Sequence, residues 1–112
     1  MIKLEKNSPL EFLLHDYYDD FLWYYDSAEL ESREWCKQNI KEDWSILDIG
    51  ANVGLYTVLF SRLASKGKVY ACEPTETIDL LKENIQNNSC KNVSVFQQAL
   101  GNSSGKLSRH PL

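Results

Sequence analysis

Two acids, each closing an apolar run, are the residues best placed to do chemistry. Ser45-Ile46-Leu47-Asp48-Ile49 leads into Gly50-Ala51-Asn52-Val53-Gly54 and then into Leu55-Tyr56-Thr57-Val58-Leu59-Phe60. A second run, Lys68-Val69-Tyr70-Ala71-Cys72, ends in Glu73 and Pro74. The first pattern reads as strand, tight turn and helix, with the helix N-terminus at the turn. Such a junction offers backbone N–H groups and a positive dipole end to a ligand. Gly50 and Gly54 lack the Cβ atoms that would block close approach, and Asn52 tolerates positive φ. Any short strand-to-helix loop could look the same. Glu73, 19 residues after Gly54, changes the balance. In a βαβ nucleotide site an acid at the tip of the second strand accepts hydrogen bonds from ribose hydroxyls. A carboxylate suits that task because it only accepts, and it can take two O–H donors.

The kind of nucleotide is narrowed by what the turn lacks. A dinucleotide fingerprint beginning at Gly50 requires glycine at positions 52 and 55, where the chain has Asn52 and Leu55. A pyrophosphate is also poorly matched to Asp48, two residues before the turn. No Gly-Lys-Ser/Thr follows, which excludes a P-loop. The arrangement Asp48-x-Gly50-x-Asn52-x-Gly54 fits a ligand with a cationic end.

The elements that must position these residues follow in order. From Pro9 to Tyr25, aromatic residues alternate with Asp16, Asp19 and Asp20, and Leu10, Leu14, Tyr17, Phe21 and Tyr24 fall at helical spacing. This stretch is expected to dock its aromatic face on a larger core, the alternative being a lid or substrate-side wall over a pocket. Its His15 has no partner pattern that would make it a ligand. Asp26 is placed to cap a helix running from Ser27 to about Ile40, with Leu30, Trp35, Cys36 and Ile40 as apolar members. After the turn, Leu55, Leu59 and Leu63 repeat at helical spacing, and the helix is expected to end near Lys66 with Gly67 as a left-handed cap. Residues 68–73 lack alternation, which suits a parallel strand buried on both faces. A helix over Thr77–Asn87 turns Ile78, Leu81 and Ile85 inward, and Val93–Gln98 forms a third strand. A further short strand is expected over Lys106–Arg109, and His110, beside Pro111 at the chain end, is expected to be disordered. The order βαβαβ implies one parallel sheet with right-handed crossovers. Residues 1–44 form an N-terminal aromatic and helical segment, and residues 45–112 form the α/β unit.

Composition bounds the rest. The chain has 112 residues, enough for one core, with 43% apolar and 25% charged residues, the balance of a soluble globular protein. Its net charge of −4 shows no basic stripe, so no nucleic-acid partner is expected. The N-terminus resembles no signal peptide and no apolar stretch is long enough to span a bilayer, so the cytoplasm is the expected location. Cys36, Cys72 and Cys90 are widely spaced and odd in number, which predicts reduced, buried thiols with neither a disulfide framework nor a metal site.

Leu47-Asp48-Ile49-Gly50-Ala51-Asn52-Val53-Gly54, taken with Tyr70-Ala71-Cys72-Glu73-Pro74, resembles the S-adenosylmethionine-dependent methyltransferases of the FkbM type. Leu81, Glu83-Asn84-Ile85, Asn88 and Ala99-Leu100-Gly101 add to the likeness, which covers residues 46–105. The resemblance implies a Rossmann-like class I methyltransferase fold, present as the βαβαβ half of a doubly wound sheet. It implies that Asp48 faces the methionine ammonium and that Gly50, Ala51, Asn52 and Gly54 line the methionine and ribose portion. Glu73 would take the ribose hydroxyls and Pro74 would lie beside the adenine, with Gln98 and Ala99 at its edge. Thr57 would reach the methionine carboxylate. The implied reaction is methyl transfer to a hydroxyl acceptor on a small molecule, glycan or lipid. The family's sheet has further strands beyond the central one, and those, with the acceptor pocket and the base, are not in this chain. The reading is therefore an N-terminal, cofactor-binding fragment, inactive alone and prone to self-association through the exposed edge of its first strand. Two other readings stay open: half of an NAD(P)-linked oxidoreductase, and a non-catalytic interaction module that keeps the nucleotide fold.

Overall fold

The computed structural model describes residues 30–99 and the backbone of residues 109–110. The aromatic stretch 9–25, the cap at Asp26 and the turn-rich segment from Leu100 lie outside the described residues. In chain order the elements are α1 (Leu30–Asn39), β1 (Ser45–Ile49), α2 (Leu55–Leu63), β2 (Lys68–Cys72), α3 (Ile78–Asn87), β3 (Val93–Phe96) and β4 (Arg109–His110). Strands β1, β2 and β3 are parallel and adjacent in that order, and β4 joins β3 antiparallel. The α/β class and the partial Rossmann-like sheet expected from the sequence are both present.

Register decides which side chains share a face. Ile46 lies opposite Val69 and Asp48 opposite Ala71, while Val69 and Ala71 lie opposite Val93 and Val95. On this face Val69, Ala71, Val93 and Val95 pack with Val58 of α2 and with Ile78, Leu81 and Ile85 of α3. Each fully buried Val or Leu of this set stabilises the fold by about 1.5–3 kcal/mol relative to exposure. The other face carries Leu47 and Ile49, 51% and 59% exposed, and Tyr70, whose ring lies 6.4 Å from that of Phe96. Among the described residues β1 is an edge strand, paired only with β2.

Several local expectations are corrected. β2 is not buried on both faces: Val69 and Ala71 are fully buried, but Tyr70 between them is exposed. The buried side of α2 is Thr57, Val58 and Ser61, continued by Ala64, rather than the Leu55, Leu59 and Leu63 stripe. Small and β-branched residues let the helix approach the sheet closely, so the leucines lie at its flanks. In α1, Cys36 is buried as expected, but Leu30 and Trp35 are exposed and Arg33 is buried. Helix α2 ends at Leu63, not near Lys66, and Gly67 has no left-handed φ. Gly67 is needed for space: a Cβ there would lie 1.8 Å from the Trp44 carbonyl oxygen, where the chain enters β1. β3 stops at Phe96, and the last strand is Arg109–His110, so His110 is paired opposite Val95 rather than disordered. All three cysteines are free and buried.

Candidate functional site

The ends of β1 and β2 are level, Ile49 facing Cys72 in the register, so Asp48 and Glu73 come to neighbouring strand tips. Between them the chain turns through three left-handed residues, Gly50 (φ 71°), Asn52 (φ 55°) and Gly54 (φ 99°). The two glycines serve different needs. A Cβ at Gly50 would meet nothing within 4 Å, which leaves that side of the turn open to a ligand. At Gly54 a Cβ would lie 2.8 Å from Leu81 Cδ1, so this glycine admits α3 rather than a ligand.

Four of the turn's N–H donors are held within the chain. Gly50 N–H and Ala51 N–H both donate to the Cys72 carbonyl, at 2.9 and 3.0 Å. Gly54 N–H donates to the Ala51 carbonyl, and Asn52 N–H donates to Glu73 Oε1 at 2.9 Å. Glu73 is buried and holds a second set of donors: Oε2 accepts from Thr75 N–H at 3.0 Å and from Thr75 Oγ1 at 2.5 Å. With about four acceptor positions on a carboxylate, these bonds leave room for one further donor, at Oε1. Burial alone would raise the Glu73 carboxyl, but the Thr75 and Asn52 donors outweigh it and hold it below the usual value.

Asp48 is set in the opposite sense. Burial pushes its carboxyl up, the Thr57 hydroxyl pulls it down, and the charge of Glu73 pushes it up again, for a net rise. Thr57 is fully buried and its Oγ1 donates to Asp48 Oδ2 at 2.6 Å. Thr57, which the resemblance places at a methionine carboxylate, here holds the Asp48 carboxylate in place. Pro74 and Ala99 are exposed beside the strand tips, Ala51 is buried and Asn52 is exposed. Gln98 is half-buried, and its Oε1 is a buried acceptor with no hydrogen-bond partner.

One residue of the turn's support had no role assigned from sequence. Asn84 of α3 is fully buried and its Nδ2 donates to the Val53 carbonyl at 2.7 Å. The available signal was a polar residue inside the apolar stripe Ile78, Leu81, Ile85.

A family model described as the Vibrio cholerae RfbT protein matches residues 13–108. The chain belongs to that family. The model that matches is described by RfbT and not by the FkbM type that the two motifs resemble. No curated protein matches the chain. Among solved structures, a SAM-dependent methyltransferase from Aquifex aeolicus is 30% identical with a TM-score of 0.55, covering 65% of this chain and 42% of its own. TYW2 from M. jannaschii, solved in complex with AdoMet, is 26% identical with a TM-score of 0.55, covering 62% of this chain and 32% of its own. An rRNA methylase from Streptococcus thermophilus is 15% identical with a TM-score of 0.55, covering 62% of this chain and 41% of its own. The fold is that of the S-adenosylmethionine-dependent methyltransferases, and the chain spans less than half the length of each of these structures.

The rRNA methylase overturns one expectation. The exclusion of a nucleic-acid partner, drawn from a net charge of −4, does not hold, because this same fold occurs in an enzyme named for rRNA. Net charge summed over a chain that spans 41% of such a structure does not describe the surface that meets a substrate. Among the described residues no helix is long and apolar enough to cross a membrane.

Proposed function

We propose that the chain is the cofactor-binding part of an S-adenosylmethionine-dependent methyltransferase that, as the FkbM resemblance implies, delivers a methyl group to a hydroxyl oxygen. The observation that carries this reading is the state of the strand-tip turn. Its N–H groups at Gly50, Ala51, Asn52 and Gly54 are engaged within the chain, and two carboxylates flank it. A pyrophosphate needs free donors and meets repulsion there, whereas a cationic nucleoside needs acceptors. Asp48, oriented by Thr57, holds the ammonium of the methionine portion. Glu73 Oε1 accepts from one ribose hydroxyl, a narrower role than the two the resemblance implied. The open side of Gly50 admits the close approach, and Pro74, Ala99 and the unpartnered Gln98 Oε1 border the adenine edge. The cofactor, when bound, supplies a methyl group on sulfonium sulfur that an aligned oxygen can displace in line. The solved structure of TYW2 with AdoMet, at 26% identity, supports the same assignment.

Isothermal titration tests it. Adenosylhomocysteine is expected to bind and NADH is not. Asp48→Asn removes the charge opposite the ammonium and is expected to weaken adenosylhomocysteine about tenfold or more, since hydrogen bonds to charged groups contribute about 1.5–3 kcal/mol. Methylthioadenosine, which lacks the ammonium, is expected to bind both forms alike. Binding of NADH without adenosylhomocysteine, or an Asp48→Asn affinity equal to wild type, overturns the reading.

A further inference from the structure

We propose that Asn84 is a positioning residue for the strand-tip turn: by holding the Val53 carbonyl it keeps Asn52 and Gly54 in their left-handed conformations, and so presents the Asn52 amide to Glu73. The inference rests on the nucleoside-site reading and adds a residue that touches no ligand. Val53 lies between the two left-handed residues, and its carbonyl belongs to the peptide plane shared with Gly54, so a bond to that carbonyl fixes the left-handed φ of Gly54 directly and the exit of the chain from Asn52 through Val53. That carbonyl is received by Asn84 Nδ2 at 2.7 Å, across 31 residues of sequence. Leu81, three residues earlier on α3, occupies the space a Gly54 side chain would need. Positions three apart share a helix face, so one face of α3 grips the turn at two consecutive residues.

The grip is itself anchored. The Asn84 carbonyl accepts from Asn88 N–H at 3.1 Å and from Asn88 Nδ2 at 2.9 Å. The Asn88 carbonyl accepts from Arg62 Nη2 of α2 at 2.5 Å. The helix that follows the turn and the helix that clamps it are therefore joined at their far ends. Ile85, the next residue on α3, is equally buried and is placed in the core instead, which makes it the control.

The test compares Asn84→Ala with Ile85→Ala in the full chain. Asn84→Ala is expected to weaken adenosylhomocysteine binding about tenfold, whereas Ile85→Ala, also destabilised, keeps its affinity within about twofold. In ¹H–¹⁵N spectra of the free proteins the Asn52 and Gly54 amides are expected to move in Asn84→Ala and to stay in Ile85→Ala. Asn84→Ser, whose side chain is too short to reach Val53, serves if the alanine variant does not fold. Equal loss of affinity in both variants, or unmoved Asn52 and Gly54 amides in the Asn84 variant, overturns the proposal. If the wild-type chain binds no adenosylhomocysteine, the nucleoside reading fails, and the amide shifts alone decide the role of Asn84.

Discussion

Replacing Gly54 by alanine separates the two demands placed on the strand-tip turn. The φ of 99° at this position costs an L-residue about 1–2 kcal/mol. The new Cβ would also lie 2.8 Å from Leu81 Cδ1, and Leu81 is fully buried, so its movement disturbs the core. Overpacking of that kind costs about 1–3 kcal/mol. The sum, about 2–5 kcal/mol, is a large part of the 5–15 kcal/mol that stabilises a typical domain. Gly50→Ala is the reference, because its φ of 71° carries similar strain while its Cβ meets nothing within 4 Å. Urea unfolding followed by tryptophan fluorescence is expected to rank Gly54→Ala below Gly50→Ala by about 1–3 kcal/mol, the packing contribution alone. Leu81→Ala should relieve the contact, so the double variant is expected to be more stable than additivity gives, by about 0.5–3 kcal/mol. Equal losses at Gly50 and Gly54, or strict additivity with Leu81→Ala, would refute the argument that α3 packing dictates glycine here.

Three further outcomes are expected. Gly67→Ala places a Cβ 1.8 Å from a backbone oxygen of Trp44, which no side-chain rotation relieves, so it should destabilise more than Gly50→Ala in the same urea assay. Thr57→Val removes the one bond that lowers the Asp48 carboxyl, whose titration should move further up in carboxyl ¹³C spectra. Because that group binds its proton more tightly folded than unfolded, stability falls as pH rises through its titration, and in Thr57→Val this fall should reach to higher pH. Glu73 has the opposite sign: its carboxyl lies below the usual value when folded, so its contribution is present at neutral pH and is lost as pH falls through its titration. Glu73→Gln should therefore flatten the acid limb of the stability profile, and an unchanged slope below about pH 5 would contradict the hydrogen-bonding account.

What the sequence determined by itself was the element order and the place of the acids. An apolar run that ends in Gly50, and another that ends in Pro74, read as strands that stop there, and Asp48 and Glu73 sit at those stops. Ile78, Leu81 and Ile85 were legible as an inward stripe because helical period is a local property. The tertiary structure alone decided how each group is used. Thr57 reaches Asp48 across 9 residues, and Asn84 reaches Val53 across 31. The Trp44 carbonyl that excludes a side chain at Gly67 comes from a different segment again. Periodicity carries no record of such partners. It could not show that the N–H groups of Gly50, Ala51, Asn52 and Gly54 are engaged, nor that the buried side of α2 is its small and β-branched residues rather than its leucines. Those choices follow from how closely a helix can approach a sheet, and that distance exists only once both are packed.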